Sequence, residues 1–411
     1  MSKGNKDFFE EKKIWSEVKD ELLGCYLVPY FNKIMSMNNP ILYVDCFAGK
    51  GKFDDGKNGS PLIAIECLEK SIAQIRNKSY IPQVYMKFIE LHHASDLRNY
   101  LNEQSSKHFE VIEGKFEDKI VSLLNNALSK NRSTNLFLYV DPYGVKVLNA
   151  TLFDILPNAF KTAELLINLN SFGFIRLALQ VMKITVREKD DVFSDLEEYD
   201  NSVTDSIEEL NTIAGGNYWQ SIIENYKNGT ASIYQAEKDF AQGYKIRLRK
   251  KYTYVLDMPI RMKAGQQPKY RMIHATNHHV GCLLMADNIA KRTDYLVIDI
   301  QSGGQLSFMQ QTAENEMIDD SVLEEKVLEL LSINPKYIHL NEFLADFYNE
   351  YGVLCDLSRL SSGRSGSVLK RLEKNGVIQV MRNPATTEKG KPTSFWQEIK
   401  GQTLMLRKVE N

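Results

Sequence analysis

Two apolar runs, each stopping on an acidic residue and a tight turn, constrain this chain more than any other feature. The first is Leu42-Tyr-Val-Asp-Cys-Phe-Ala-Gly-Lys-Gly-Lys-Phe53 and the second is Leu136-Phe-Leu-Tyr-Val-Asp-Pro-Tyr-Gly144. Their β-branched and aromatic residues suit strands. A strand that stops at Asp45 and turns through Gly49 and Gly51 lets a ligand approach bare backbone, because glycine has no Cβ. A strand that stops at Asp141-Pro142-Tyr143 puts a carboxylate, a carbonyl and an aromatic ring at the same sheet edge. Ligands of open α/β sheets bind at the carboxyl ends of strands. Together the two segments suggest a nucleotide-like cofactor beside a planar, amine-bearing substrate.

The rest of the chain supplies a sheet for these two strands. Strands are expected at 41–46, 84–90, 109–112, 136–140 and 165–169, with helices at 8–35, 61–76, 96–104 and 118–128 between them. Ile14, Val18, Leu22, Tyr26 and Leu27 recur at helical spacing in the first helix, which Pro29 would bend or restart. Ser60 is the expected N-cap before Pro61. Strands alternating with helices predict an α/β, doubly wound, Rossmann-like sheet. Two more strands are expected at 270–275 and 295–300 around a helix at 281–291. The first domain is placed at 1–301, with a helical and acidic insertion at about 177–250, which reads as a solvated surface or a cap. A polar, Gln-rich linker follows at 302–317. In 318–411, helices at 322–331, 340–351 and 361–376 precede strands at 377–381 and 394–399, the pattern of a winged helix.

Composition bounds the function. The chain has 411 residues, 43% hydrophobic and 25% charged, with a net charge of -2, so there is no global attraction to nucleic acid or a membrane surface. No apolar run reaches the ~20 residues that span a bilayer. The polar start, Met-Ser-Lys-Gly-Asn-Lys-Asp, lacks the apolar core of a signal peptide, so a cytoplasmic location is expected. Cys25, Cys46, Cys67, Cys282 and Cys355 are scattered and odd in number, which argues against disulfides and metal sites. His274, His278 and His279 have no acidic or thiol partner at ligand spacing, and no metal is expected. His92 and His93 read as surface. There is no G-x-S-x-G or Walker A sequence, so a triad hydrolase or P-loop ATPase is not expected.

Six constellations remain. In Asp45-x-Phe47-Ala48-Gly49-x-Gly51, backbone N–H groups can meet the carboxylate of an amino-acid moiety. Glu90, at a strand end, is placed to accept hydrogen bonds from ribose hydroxyls. Phe116, after Gly114-Lys115, can pack on an adenine, with Asp118 capping the next helix. Asp141 and the Pro142 carbonyl can accept the two hydrogens of an aromatic amine and so aim its lone pair, while the Tyr143 ring stacks on the base. Asn168 and Asn170, with Arg176, can line the substrate face. The segment from Tyr270 to His279 reads as a strand-to-helix turn. Separately, the basic run 244–251 is either a phosphate contact or an ordinary helix end.

Val44-Asp45-x-Phe-Ala-Gly49 leading to Gly59-Ser60-Pro61, Val140-Asp-Pro-Tyr-Gly144, the 270–285 segment, and Trp15-Ser16 with Lys19 resemble the three-Cys-motif partner protein family. That family lies within the class I S-adenosylmethionine-dependent methyltransferase fold. The resemblance implies S-adenosylmethionine held by Asp45, Phe47, Ala48, Gly49, Gly51, Glu90 and Phe116. It also implies a three-cysteine partner encoded nearby, in a mobile-element or phage-defence setting. The Asp-Pro-Tyr-Gly turn resembles those of nucleic-acid amino-methyltransferases, with Asp141, Pro142 and Tyr143 as the catalytic set. It differs from Asp-Pro-Pro-Tyr in having one proline. Lys115 stands where the family usually has an acidic residue. From Arg359 onward basic residues outnumber acidic ones. The expected DNA or RNA contacts are Arg359, Arg364, Lys370, Arg371, Lys374, Lys389 and Lys391. Three readings stay open: an N-methyltransferase acting on a base amine, a non-catalytic partner protein of the same fold, and a DNA-binding regulator that senses a small molecule.

Overall fold

A computed structural model of the chain describes residues 9–75, 83–103, 109–142, 144–145, 148, 150–187, 206–261, 268–302, 318–363, 366–399 and 401–409. Tyr143, Arg364, the acidic residues of 188–205 and most of the 302–317 linker lie outside these. The chain divides into two units, 1–277 and 278–411.

The first unit comprises α1 (Ile14–Met35), β1 (Ile41–Asp45), α2 (Ser60–Ala73), β2 (Val84–Glu90), α3 (Ala94–Asn102), β3 (Phe109–Glu113), α4 (Phe116–Lys130), β4 (Asn135–Val140), α5 (Ala150–Ala159) and β5 (Thr162–Leu169). It continues through α6 (Ser171–Val181), α7 (Ile207–Ala214), α8 (Tyr218–Lys227), α9 (Ile233–Leu248), β6 (Tyr254–Arg261) and β7 (Pro268–Thr276). The strands form one sheet in the order β3-β2-β1-β4-β5-β7-β6. The first five are parallel, and β7 runs antiparallel to both β5 and β6. This is an α/β fold with a mostly parallel seven-stranded sheet. Every residue of β1 and β4 is buried, as parallel strands covered on both faces require. Strand order reverses between β1 and β4, and crevices open at such reversals. Leu169 pairs with Arg271, so the antiparallel β7 returns Tyr270 to the same edge of the sheet.

Helix α1 runs through Pro29 without a break and starts at Ile14 rather than residue 8. Its Tyr26 and Tyr30 rings pack on Phe137, which stacks on Tyr43 at 5.8 Å and 10°. Aromatic packing of this kind outweighs the one hydrogen bond a helical proline forfeits. The 244–251 run is largely structural. Arg247 is buried and bonds Asp154 and the Ala150 carbonyl, and Lys245 bonds Asp257. Arg271 joins the latter network through two hydrogen bonds to Glu237 and one to Asp257. Strand β6 was not expected: Asp257 and Pro259 interrupt its apolar run. As the edge strand of the sheet, it tolerates a proline.

The second unit comprises α10 (His279–Ser302), α11 (Asp320–Ile333), β8 (Ile338–His339), α12 (Leu340–Tyr351), α13 (Leu357–Leu360), α14 (Val368–Lys374), β9 (Ile378–Asn383) and β10 (Thr403–Lys408). Its strands form a sheet in the order β8-β10-β9. The 295–300 run is the end of α10, not a strand: extending a nucleated helix costs less than starting a new element. Helix α10 packs on α12, so the division falls ahead of α10 rather than at 302–317. The segment 361–376 holds one short helix, α14, because Gly363 and Gly366 interrupt the first half. The segment 394–399 is not a strand, and β10 pairs with β9 instead. There Trp396 is buried, its carbonyl accepts from Ser361, and Glu398 bonds Asn341 and the Leu404 amide. Among the described residues no helix is long and apolar enough to cross a membrane.

Candidate functional site

The reversal between β1 and β4 opens into a cavity of about 490 Å³ beyond the carboxyl ends of β1, β2, β3, β4 and β5. Its size suits a nucleoside-sized ligand. It gathers Phe47, Ala48, Gly49 and Gly51 with Glu90, Phe116, Asp141, Pro142, Asn168 and Asn170. Arg176 does not line it. Trp15, Lys19, Phe9, His93 and Tyr270 also line it. His93 is therefore more than surface: its ring lies 5.0 Å from that of Phe9.

The glycine turn is built around backbone contacts. Gly49 and Gly51 have φ of 67° and 89°, the left-handed region where glycine alone is unstrained. A Cβ at Gly51 would lie 2.7 Å from Leu97 Cδ1. The Gly51 carbonyl accepts from the Gly59 amide at 2.8 Å, which joins the turn to the start of α2. Gly59, not Ser60, is the N-cap. The Ser60 hydroxyl is occupied elsewhere: it donates to Asp45 Oδ2 at 2.7 Å. Asp45 Oδ1 accepts from the Phe47 amide at 3.3 Å. Asp45 is fully buried and does not line the cavity. It supports the turn from below instead of meeting a ligand.

Glu90 performs a second bracing role. Its Oε2 accepts from the Gly49 amide at 2.8 Å, and its Oε1 accepts from the amides of His92 and His93 at 2.8 and 3.0 Å. A carboxylate has about four acceptor positions, so one is left on this cavity-lining residue. Phe116 is buried and its ring lies 5.1 Å from that of Phe47. Asp118 does not cap α4; Lys115 is its N-cap, without a side-chain bond.

In the same cavity, Asp141 is held from three elements. Lys19 Nζ donates to Asp141 Oδ1 and Oδ2 at 2.8 and 2.7 Å. Asn168 Nδ2 donates to Oδ1 at 2.6 Å and the Tyr139 hydroxyl to Oδ2 at 3.3 Å. Lys19 Nζ lies 5.6 Å from the centre of the Tyr270 ring. Asn168 Oδ1 is buried with no partner. The neighbouring Asp20 is salt-bridged to Lys12 at 2.5 Å. No sequence pattern ties Lys19 to Asp141, because the sheet brings them together across 122 residues.

Burial pushes the Asp45 carboxyl up to about 7, against the hydrogen bonds from Ser60 and Phe47. Burial likewise pushes Asp20 up to about 6, opposed by Lys12. A carboxyl raised above its unfolded value binds its proton more tightly when folded. Its stabilisation is full below about pH 4 and is lost as pH rises toward 7. For Asp45 the span is on the order of 4 kcal/mol. Urea unfolding of Asp45→Asn is therefore expected to show a flatter fall in stability between pH 4 and pH 7 than the natural chain. An unchanged pH slope would show that Asp45 does not carry this effect.

In the second unit, Arg359 and Arg371 are engaged internally. Arg359 bonds Asp320, and Arg371 bonds Asp320 and Glu324. Both were expected to contact phosphates; each guanidinium already has a carboxylate partner. Lys370 bonds the Gly363 carbonyl. Lys374, Lys389 and Lys391 are exposed, the last two in the loop between β9 and β10. Among the described residues no group of His, Cys, Asp and Glu side chains could hold a metal ion. Compared with known proteins, the chain matches no family model and no curated protein.

Proposed function

We propose that the first unit is an S-adenosylmethionine-dependent N-methyltransferase acting on a base amine in nucleic acid. One observation carries the reading: a single cavity is lined both by the Gly49–Glu90 turn and by Asp141, Pro142 and Asn168. The sheet order, with an antiparallel β7 between β5 and β6, suits a Rossmann-like methyltransferase. The cavity residues fit the cofactor. The backbone between Gly49 and Gly51 would hold its amino-acid end, the open position of Glu90 its ribose, and Phe116 its adenine. When bound, the cofactor supplies an electrophilic methyl on a sulfonium. Asp141 and the Pro142 carbonyl would accept the hydrogens of the target amine and turn its lone pair toward that methyl. Asp141 is also placed to take up the amine's proton.

In the second unit, α11, α12 and α14 with the β9–β10 pair support a winged-helix reading. Lys370, Lys374, Lys389 and Lys391 are its phosphate contacts, and a three-cysteine partner belongs to the same proposal. One observation favours a second reading, a methyltransferase-like domain that binds a nucleotide without transferring a methyl. Lys19 occupies both oxygens of Asp141. Incubation with methyl-labelled S-adenosylmethionine and mixed DNA and RNA, followed by nucleoside analysis, separates the two. Label on a base amine is expected; label on no nucleoside would favour the second reading.

A further inference from the structure

We infer that Lys19 selects the acceptor base, admitting an amine that stands beside an unprotonated ring nitrogen on the base's Watson–Crick edge. This rests on the methyltransferase reading above. Asp141 has no spare acceptor position, because Lys19 takes up both oxygens while Asn168 and Tyr139 add one bond each. Asn168 and Tyr139, on β5 and β4, are buried at 2% and 0% exposure, which leaves their side chains little room to withdraw. Lys19 projects from α1 on four methylenes and is the partner an incoming amine displaces. Beside the Pro142 carbonyl, Asn168 Oδ1 is a further acceptor for the second amine hydrogen: it is buried with no partner, on a residue that lines the cavity and is 2% exposed.

The displaced ammonium stays confined. Lys19 is 8% exposed, with the Tyr270 ring on one side and Asp20 next to it in the chain, already bonded to Lys12. A buried cation without a hydrogen-bond acceptor is costly. The base itself must therefore present an acceptor next to its amine. Adenine and cytosine do so on their Watson–Crick edge, the edge by which extruded bases are read. On that edge guanine presents an N–H beside its amine, its unprotonated N3 lying on the opposite, sugar-facing side, and thymine and uracil have no exocyclic amine. A site whose polar group is left unpaired rejects such analogues strongly.

The test uses the full chain with fluorescein-labelled single-stranded 12-mers of adenine, cytosine, guanine or thymine. Binding is read by anisotropy without cofactor, and transfer from methyl-labelled S-adenosylmethionine is read as KM and kcat. Label is expected in the adenine or cytosine tract and not in guanine. In Lys19→Met the KM for the accepted tract should rise at least tenfold with kcat less affected, and the binding preference over guanine should disappear. Lys19→Arg should restore most of both. Should Lys19→Met not fold, the natural chain decides the matter with a deaza tract. Replacing adenine N1 or cytosine N3 by C–H keeps the amine and should raise KM by a similar factor, while 7-deazaadenine should behave as adenine. Labelled guanine, or equal acceptance of the N1- or N3-deaza tract, overturns the inference alone. Cofactor binding with no label in any tract overturns the methyltransferase reading and this inference with it.

Discussion

Asp141→Asn is expected to lower methyl transfer to nucleic acid by at least about 100-fold, the scale on which positioning and proton-transfer groups act. Binding of S-adenosylmethionine should change by less than about twofold, since Asp141 bonds Lys19, Asn168 and Tyr139 and not the Gly49–Glu90 turn. Removing one member of a buried ion pair costs about 3–5 kcal/mol. The Asp141 side chain is 22% exposed, and an amide still accepts one hydrogen bond from Lys19, so the loss of stability should be well below that range. Transfer assays and a melting curve on the same preparation check both parts. Transfer persisting near the natural rate, with the fold intact, would show that Asp141 does not orient the acceptor.

The second large effect is expected at Gly51. An alanine there must adopt φ of 89°, which costs an L-residue about 1–2 kcal/mol. Its Cβ would also press on Leu97 Cδ1 at 2.7 Å, and Leu97 is fully buried in α3. Leu97 is packed in the core, so the expected relief is a shift of the turn, which moves the backbone proposed to hold the cofactor. Gly51→Ala should therefore weaken S-adenosylmethionine binding at least about tenfold and lower the melting temperature by several degrees. Gly56→Ala is the control. Gly56 has a similar φ of 88°, but nothing lies within 4 Å of its Cβ and it does not line the cavity. It should lose comparable backbone stability while binding the cofactor as the natural chain does. Equal losses of affinity in both variants would mean that strain, not turn position, sets binding.

The strands of the sheet's first half were legible because parallel strands buried on both faces leave unbroken apolar runs. The runs at Leu42 and Leu136 each end where the chain turns toward the cavity. What was not legible depended on register and on partners far away in sequence. Lys19 and Asp141 meet only once α1 has packed across the sheet. The chemical roles of carboxylates were equally hidden. Asp45 and Glu90 read as ligand contacts, yet Asp45 lies beneath the turn and Glu90 spends three acceptor positions on backbone amides. The errors at 295–300 and 394–399 share one cause. Short apolar runs do not declare their element, and context assigned one to the end of α10 and the other to a loop tied down by Trp396 and Glu398.

Calorimetric titration of the natural chain with S-adenosylmethionine tests the central claim most directly. The account predicts one site per chain with micromolar affinity (about -8 kcal/mol), lost in Gly51→Ala and retained in Asp141→Asn. No heat of binding under conditions where the chain is folded would contradict it.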